Sequence, residues 1–149
     1  MKILVDHHQQ PDTPSFGYGI SDVKMSSTCE MIYDIIVQSG HSNLINLDIA
    51  TALYTGLMTD TGSFRFPSTT ASVHKIVAHL KEVGLQHSII HENIYDQSSE
   101  GRLKFMGNAF LNRMHVFPEY KTAVMAIPKT DIYKFELKTG DTEGLVNYL

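Results

Sequence analysis

Two short stretches gather side chains of the kind that hold cations and handle phosphate. The first is Asp6-His7-His8, which ends the short run Lys2–Val5. An imidazole at the carboxyl end of a strand points into the crevice where open α/β sheets bind ligands. His7 can ligate a divalent ion, with Asp6 holding a ring or lying behind the ligands. His8, on the alternate face, can donate a hydrogen bond to an anion. The alternative is a polar strand end that leads into a loop. The second stretch is Thr59-Asp60-Thr61-Gly62-Ser63, a carboxylate at a helix end beside hydroxyls and a glycine. Asp60 can ligate a metal, and Arg65 can hold a phosphate by its planar fork. A helix C-terminus stopped at Gly62 explains the same residues without chemistry.

Other candidates carry less. His87 and His91 stand four apart and precede Glu92, but Ser88 occupies the position where a zinc-protease helix has its glutamate. They read as surface helix residues, as do His74 and His79. Ser26, Ser27 and Thr28 can bind a phosphate at a helix N-terminus, and capping alone accounts for them equally well. No glycine-rich phosphate loop, serine-histidine-aspartate order or redox cysteine pair is present.

These residues need elements to position them. One strand, Lys2–Val5, is followed after Asp6-His7-His8 by QQPDTPSFGYGISD, which reads as a loop from its prolines and glycines. Ser27 and Glu30 fit a capping box ahead of a helix carrying Ile32, Ile35 and Ile36. A second helix is expected from about Leu47 to Met58. A third has Val73, Ile76, Val77, Leu80 and Val83 on one face and Gly84 as its stop. Shorter helical segments are expected around 88–95 and 101–114. HVFPEYKTAVMAIP then reads as two strands joined at Pro118-Glu119-Tyr120, with a helical turn at Asp131–Phe135. The helices need a sheet to cover them, yet one strand precedes them.

Composition bounds the answer further. The chain has 149 residues, 42% hydrophobic and 19% charged, which suits one globular domain or one domain and part of another. A net charge of −4 gives no general attraction to nucleic-acid phosphate, so an anion must be held locally. The lone Cys29 excludes an internal disulfide and reads as a small buried apolar residue. No apolar run reaches the length of a membrane span, so no membrane partner is expected and the cytoplasm is the default compartment.

Taken together, VDHHQQPD, SSTCEMIYDII and ALYTGLMTDTGSFRFPSTT resemble the DHH phosphoesterases. Within them they are most similar to the oligoribonuclease/phosphoadenosine-phosphate phosphatase branch, called nanoRNase. IHENIYDQ and GDTEGLVNYL resemble the segment leading into that family's second domain and its opening. The resemblance implies an α/β fold: the C-terminal part of a DHH-type parallel-sheet domain over 1–114, then the beginning of an α+β substrate-binding domain over 115–149. It implies hydrolysis of short oligoribonucleotides or nucleotide 3′-phosphates by water activated at two Mn²⁺ ions, with Mg²⁺ also suited to the donors. It assigns His7 and Asp60 as metal ligands, His8 as the phosphate contact and Asp6 as support behind the histidines; Arg65 is an added substrate contact. Pyrophosphate, polyphosphate, cyclic dinucleotides and single-stranded DNA are the alternative substrates. A non-catalytic helical interaction module is the alternative of another class.

The family's paired-aspartate motif, a further lone aspartate and its glycine-glycine-histidine motif have no counterparts here. The expectation is therefore a fragment that retains two ligands of a dinuclear centre, binds manganese weakly and has little activity alone. Its apolar faces around Ile32 and Val73 would be exposed or would pair with a second copy, giving a homo-oligomer.

Overall fold

A computed structural model describes residues 2–148. Two compact units part between Asn93 and Ile94. The change of texture expected at 114/115 thus falls inside the second unit, at the start of a strand. Met1 and Leu149, the outer limits of that expected division, lie outside the described residues.

In the first unit β1 (Ile3–Asp6) pairs in parallel with β2 (Tyr18–Ser21), Ile3 opposite Tyr18 and Asp6 opposite Ser21. The stretch expected to be a loop therefore contains a strand and a 3-10 turn at Thr13–Ser15. Gly19 misleads because glycine weakens strands, but here it permits a close approach. A Cβ at Gly19 would stand 2.7 Å from the Leu4 Cβ.

Helix α1 (Thr28–Gln38) starts where Glu30 N–H donates to Ser27 Oγ at 3.0 Å. The returning bond of the capping box is displaced by one residue: Glu30 Oε2 accepts from the backbone and hydroxyl of Ser26, each at 2.7 Å. All three side chains are buried, and the acid fixes the helix entry through Oε2.

Helix α2 (Leu47–Asp60) is capped by Asn46 and buries Ala50, Leu53, Tyr54, Leu57 and Met58, the spacing of one helical face. Helix α3 (Ala71–Glu82) is capped by Thr70 and buries Val73, Ile76 and Leu80. These helices pack on one another, α1 and α2 closely enough that a Cβ at Gly56 would strike Cys29 Sγ. Val73 is thereby fully buried, contrary to the expected exposure, whereas Ile35 remains 43% exposed. Helix α4 (His87–His91) continues into a π-helical turn at Glu92–Asp96.

The second unit consists of α5 (Glu100–Asn112), an antiparallel pair β3 (Met114–Phe117) and β4 (Thr122–Met125), and α6 (Lys129–Lys134). Phe105, Ala109 and Leu145 form its core against Met125, Ile127, Phe135 and Leu137. A buried Asp131 receives Arg113 Nε at 2.7 Å and Nη2 at 3.0 Å, and Asn108 Nδ2 at 3.1 Å. The expected hairpin and helical turn are both present. The architecture is α/β, with one parallel and one antiparallel two-stranded sheet among several helices. Among the described residues no helix is long and apolar enough to cross a membrane.

Candidate active site

The end of β1 and the end of α2 meet. His7 follows the last strand residue, Asp60 is the last residue of α2, and His7 Nε2 lies 3.5 Å from Asp60 Oδ2. His7 Nδ1 lies 3.3 Å from the Met25 carbonyl, which can only accept, so Nδ1 carries the proton. In a neutral ring Nε2 then presents its lone pair to a carboxylate oxygen. Two acceptors so placed repel unless a second proton or a cation stands between them. Ligands of one ion at metal–donor lengths of about 2.1 Å stand roughly 3.0–3.4 Å apart, close to the observed separation. A backbone carbonyl that fixes the tautomer and leaves the other nitrogen toward the cation is the usual outer support of a ligating histidine.

Asp60 occupies an expensive position for a carboxylate. The C-terminal end of α2 carries the negative end of the helix dipole and repels an anion. The same field favours a cation, and the Asp60 side chain is 42% exposed and therefore within reach of one. Burial and, secondarily, the charge of Asp60 push the Cys29 thiol up, which favours its neutral form.

Asp6 serves His8. Its Oδ1 accepts from the His8 backbone N–H at 3.1 Å and from His8 Nδ1 at 2.8 Å. The hydrogen bond with the His8 ring is the main reason that the Asp6 carboxyl is held below its ordinary value. The His8 side chain is 74% exposed, and its Nε2 is the nitrogen left to meet an incoming group. A donor role at Nε2 requires the doubly protonated ring.

After Asp60 the chain turns through three consecutive left-handed residues, Gly62 at φ 56°, Ser63 at 59° and Phe64 at 64°. Arg65 Nε donates to the Gly62 carbonyl at 2.6 Å, which anchors the guanidinium on this turn and leaves its terminal nitrogens outside that bond. The structure thus brings His7 to Asp60 and Asp6 to His8, and sets Arg65 on the adjoining turn.

The remaining sequence candidates have structural partners. Ser26 and Ser27 are consumed by the α1 cap. His91 Nε2 meets Tyr54 Oη at 3.1 Å, His87 Nδ1 meets Lys81 Nζ at 2.7 Å, and His79 Nδ1 meets Tyr33 Oη at 2.7 Å. Sequence reasoning missed the Met25 carbonyl, because a backbone group leaves no mark on residue type.

Among the described residues no group of three or more His, Cys, Asp or Glu side chains could hold a metal ion. His7 and Asp60 fit a divalent ion as two members of a larger donor set.

No family model matches the chain. Curated relatives do. It is 29% identical over 147 residues, 97% of its length, to the bifunctional oligoribonuclease and PAP phosphatase NrnA of Bacillus subtilis. It is 36% identical over 85 residues to the NrnA of Thermus thermophilus. The matched stretches span 45% of the first relative and 25% of the second. The crystal structure of an exopolyphosphatase-related protein from Bacteroides fragilis superposes with a TM-score of 0.88 at 35% identity, over 98% of this chain and 42% of that one. The chain therefore spans less than half the length of the proteins it matches. Over nearly all of its residues the chain is thus similar in sequence and fold to parts of NrnA-like proteins of the DHH phosphoesterase superfamily.

Proposed function

We propose that the chain supplies part of a metal-dependent phosphoesterase site that hydrolyses short oligoribonucleotides and nucleotide 3′-phosphates such as phosphoadenosine phosphate. One observation carries the reading: His7, with Nδ1 committed to Met25, turns its other ring nitrogen, Nε2, toward Asp60 at 3.5 Å. That pair is built to share a divalent ion, with Mn²⁺ the best suited and Mg²⁺ the alternative. When bound, two such ions would acidify water and neutralise charge on the phosphoryl oxygens.

The chain's own residues do the rest. His7 and Asp60 are the ligands, and Asp6 fixes His8 so that its Nε2–H donates to a phosphoryl oxygen. Arg65, anchored at Gly62, offers its terminal nitrogens to a second phosphate oxygen. The residues up to 114 form part of the DHH domain, and those from 115 open the substrate-binding domain, in a protein that acts away from membranes in the cytoplasm. The small substrates named for the NrnA relatives support the oligonucleotide reading. A second reading, inorganic polyphosphate or pyrophosphate, is favoured by the exopolyphosphatase-related match.

A substrate panel on the natural gene product separates them. Turnover of a diribonucleotide and of phosphoadenosine phosphate in Mn²⁺ is expected to exceed that of pyrophosphate. His8→Asn is expected to lower kcat on the preferred substrate by about 100-fold, the scale of losing one oriented donor to a developing oxyanion. Faster turnover of pyrophosphate would establish the second reading.

A further inference from the structure

The turn that follows Asp60 is strained, and one buried hydroxyl holds it. Left-handed backbone costs a non-glycine residue free energy, and it persists only where the surroundings over-determine it. Here Ser63 and Phe64 adopt it in succession, directly after Gly62. The clamp is Thr61, which is fully buried. Its hydroxyl donates to the Leu57 carbonyl at 2.6 Å and accepts the Phe64 N–H at 3.0 Å. Its carbonyl accepts both the Arg65 and Phe66 N–H groups, at 3.0 and 3.1 Å. Ser63 N–H closes the turn on the Met58 carbonyl at 2.8 Å. Gly62 is packed under the Phe66 ring, where a Cβ would come within 2.6 Å of a ring carbon.

We infer that Thr61 is a positioning residue whose hydroxyl holds the left-handed Gly62–Phe64 turn, and through it sets Asp60 toward His7 and Arg65 over the site. The inference rests on the reading of His7 and Asp60 as cation ligands. Two consequences distinguish this role from ordinary helix capping. A cap could be lost without changing the affinity of a neighbouring carboxylate for a cation. A clamp on strained backbone is also replaceable by relieving the strain, since glycine adopts the left-handed region freely.

The test measures Mn²⁺ binding to the 149-residue chain by electron paramagnetic resonance, together with amide hydrogen exchange. Thr61→Val keeps the shape and removes the hydroxyl. It is expected to weaken Mn²⁺ binding by about tenfold, the lower end for groups that orient a ligand, and to expose the Phe64 N–H to exchange. Thr61→Ser is expected to retain both properties. Ser63→Gly in the Thr61→Val background is expected to recover part of the affinity.

Unchanged Mn²⁺ binding in a folded Thr61→Val protein would overturn the inference. So would equal losses in the serine and valine variants. If the valine variant does not fold, exchange on the unaltered chain decides: a Phe64 N–H as unprotected as a surface loop rules the clamp out, and strong protection supports it. Asp60→Asn keeps the two levels apart. If it leaves Mn²⁺ binding intact, the ligand reading itself fails and the positioning role falls with it. If it abolishes binding while Thr61→Val does not, the positioning role alone fails.

Discussion

At the scale of single residues, the fate of each donor depends on what its other atoms are doing. His7 differs from His79 and His87 because a carbonyl takes one nitrogen and a carboxylate faces the other. His79 meets a tyrosine hydroxyl and His87 a lysine, partners of ordinary packing. Residue type and spacing made His7, His8 and Asp60 legible as candidates. The hydrogen bonds that separate a ligand from a surface histidine were not legible, because they involve backbone groups and residues distant in sequence.

Asp131 illustrates a residue-scale effect without catalysis. The hydrogen bonds of Arg113 hold its carboxyl below the ordinary carboxylate value. A group depressed in the folded state contributes stability that is fully present above its unfolded value and is lost as pH falls through the folded value. Melting temperature is therefore expected to fall as the pH drops below about 4, and Asp131→Asn is expected to flatten that acid limb. The variant should also melt lower at neutral pH, since it leaves Arg113 without its counter-charge. Thermal melts of both proteins from pH 7 to pH 3 check this; parallel acid limbs would contradict it.

At the scale of elements, the three long helices of the first unit were readable from their caps and apolar spacing. Strand β2 was not, because the glycine that allows β1 and β2 to approach is also the commonest mark of a loop. The α1–α2 contact carries a similar ambiguity. Gly56 lies inside a helix, where alanine would be favoured by about 1 kcal/mol on propensity alone. Its added Cβ would strike Cys29 Sγ, and overpacking of this kind costs about 1–3 kcal/mol. Gly56→Ala is accordingly expected to lower unfolding free energy by about 1 kcal/mol in chemical denaturation, and Cys29→Ala in the same background to restore most of it. A stabilised Gly56→Ala protein would show that the two helices are not held at this distance.

At the scale of the whole molecule, the chain divides into two compact units between Asn93 and Ile94, and α5 packs with the hairpin that follows it. The sequence texture changes later, at the hairpin itself, because α5 is built from the same helical vocabulary as the first unit. The parallel pair β1–β2 leaves Ile3 and Ile20 more than half exposed, an unusual surface for parallel strands, which are generally covered on both faces. The similarity to these proteins extends over nearly the whole chain, and the chain spans less than half of their length. Under the proposed function, what it contributes to such a protein is a pair of facing donors, His7 and Asp60, on the ends of β1 and α2.

The most direct test of that contribution follows the eight histidines individually. A chain with ¹⁵N-labelled histidine is titrated with Mn²⁺ while the ring signals are recorded, since the paramagnetic ion broadens the nearest nuclei first. His7 is expected to broaden at the lowest Mn²⁺ concentration and His8 next, with His87 and His91 still sharp, and Asp60→Asn is expected to abolish this order. A His7 signal that stays sharp while the surface histidines broaden would contradict the account.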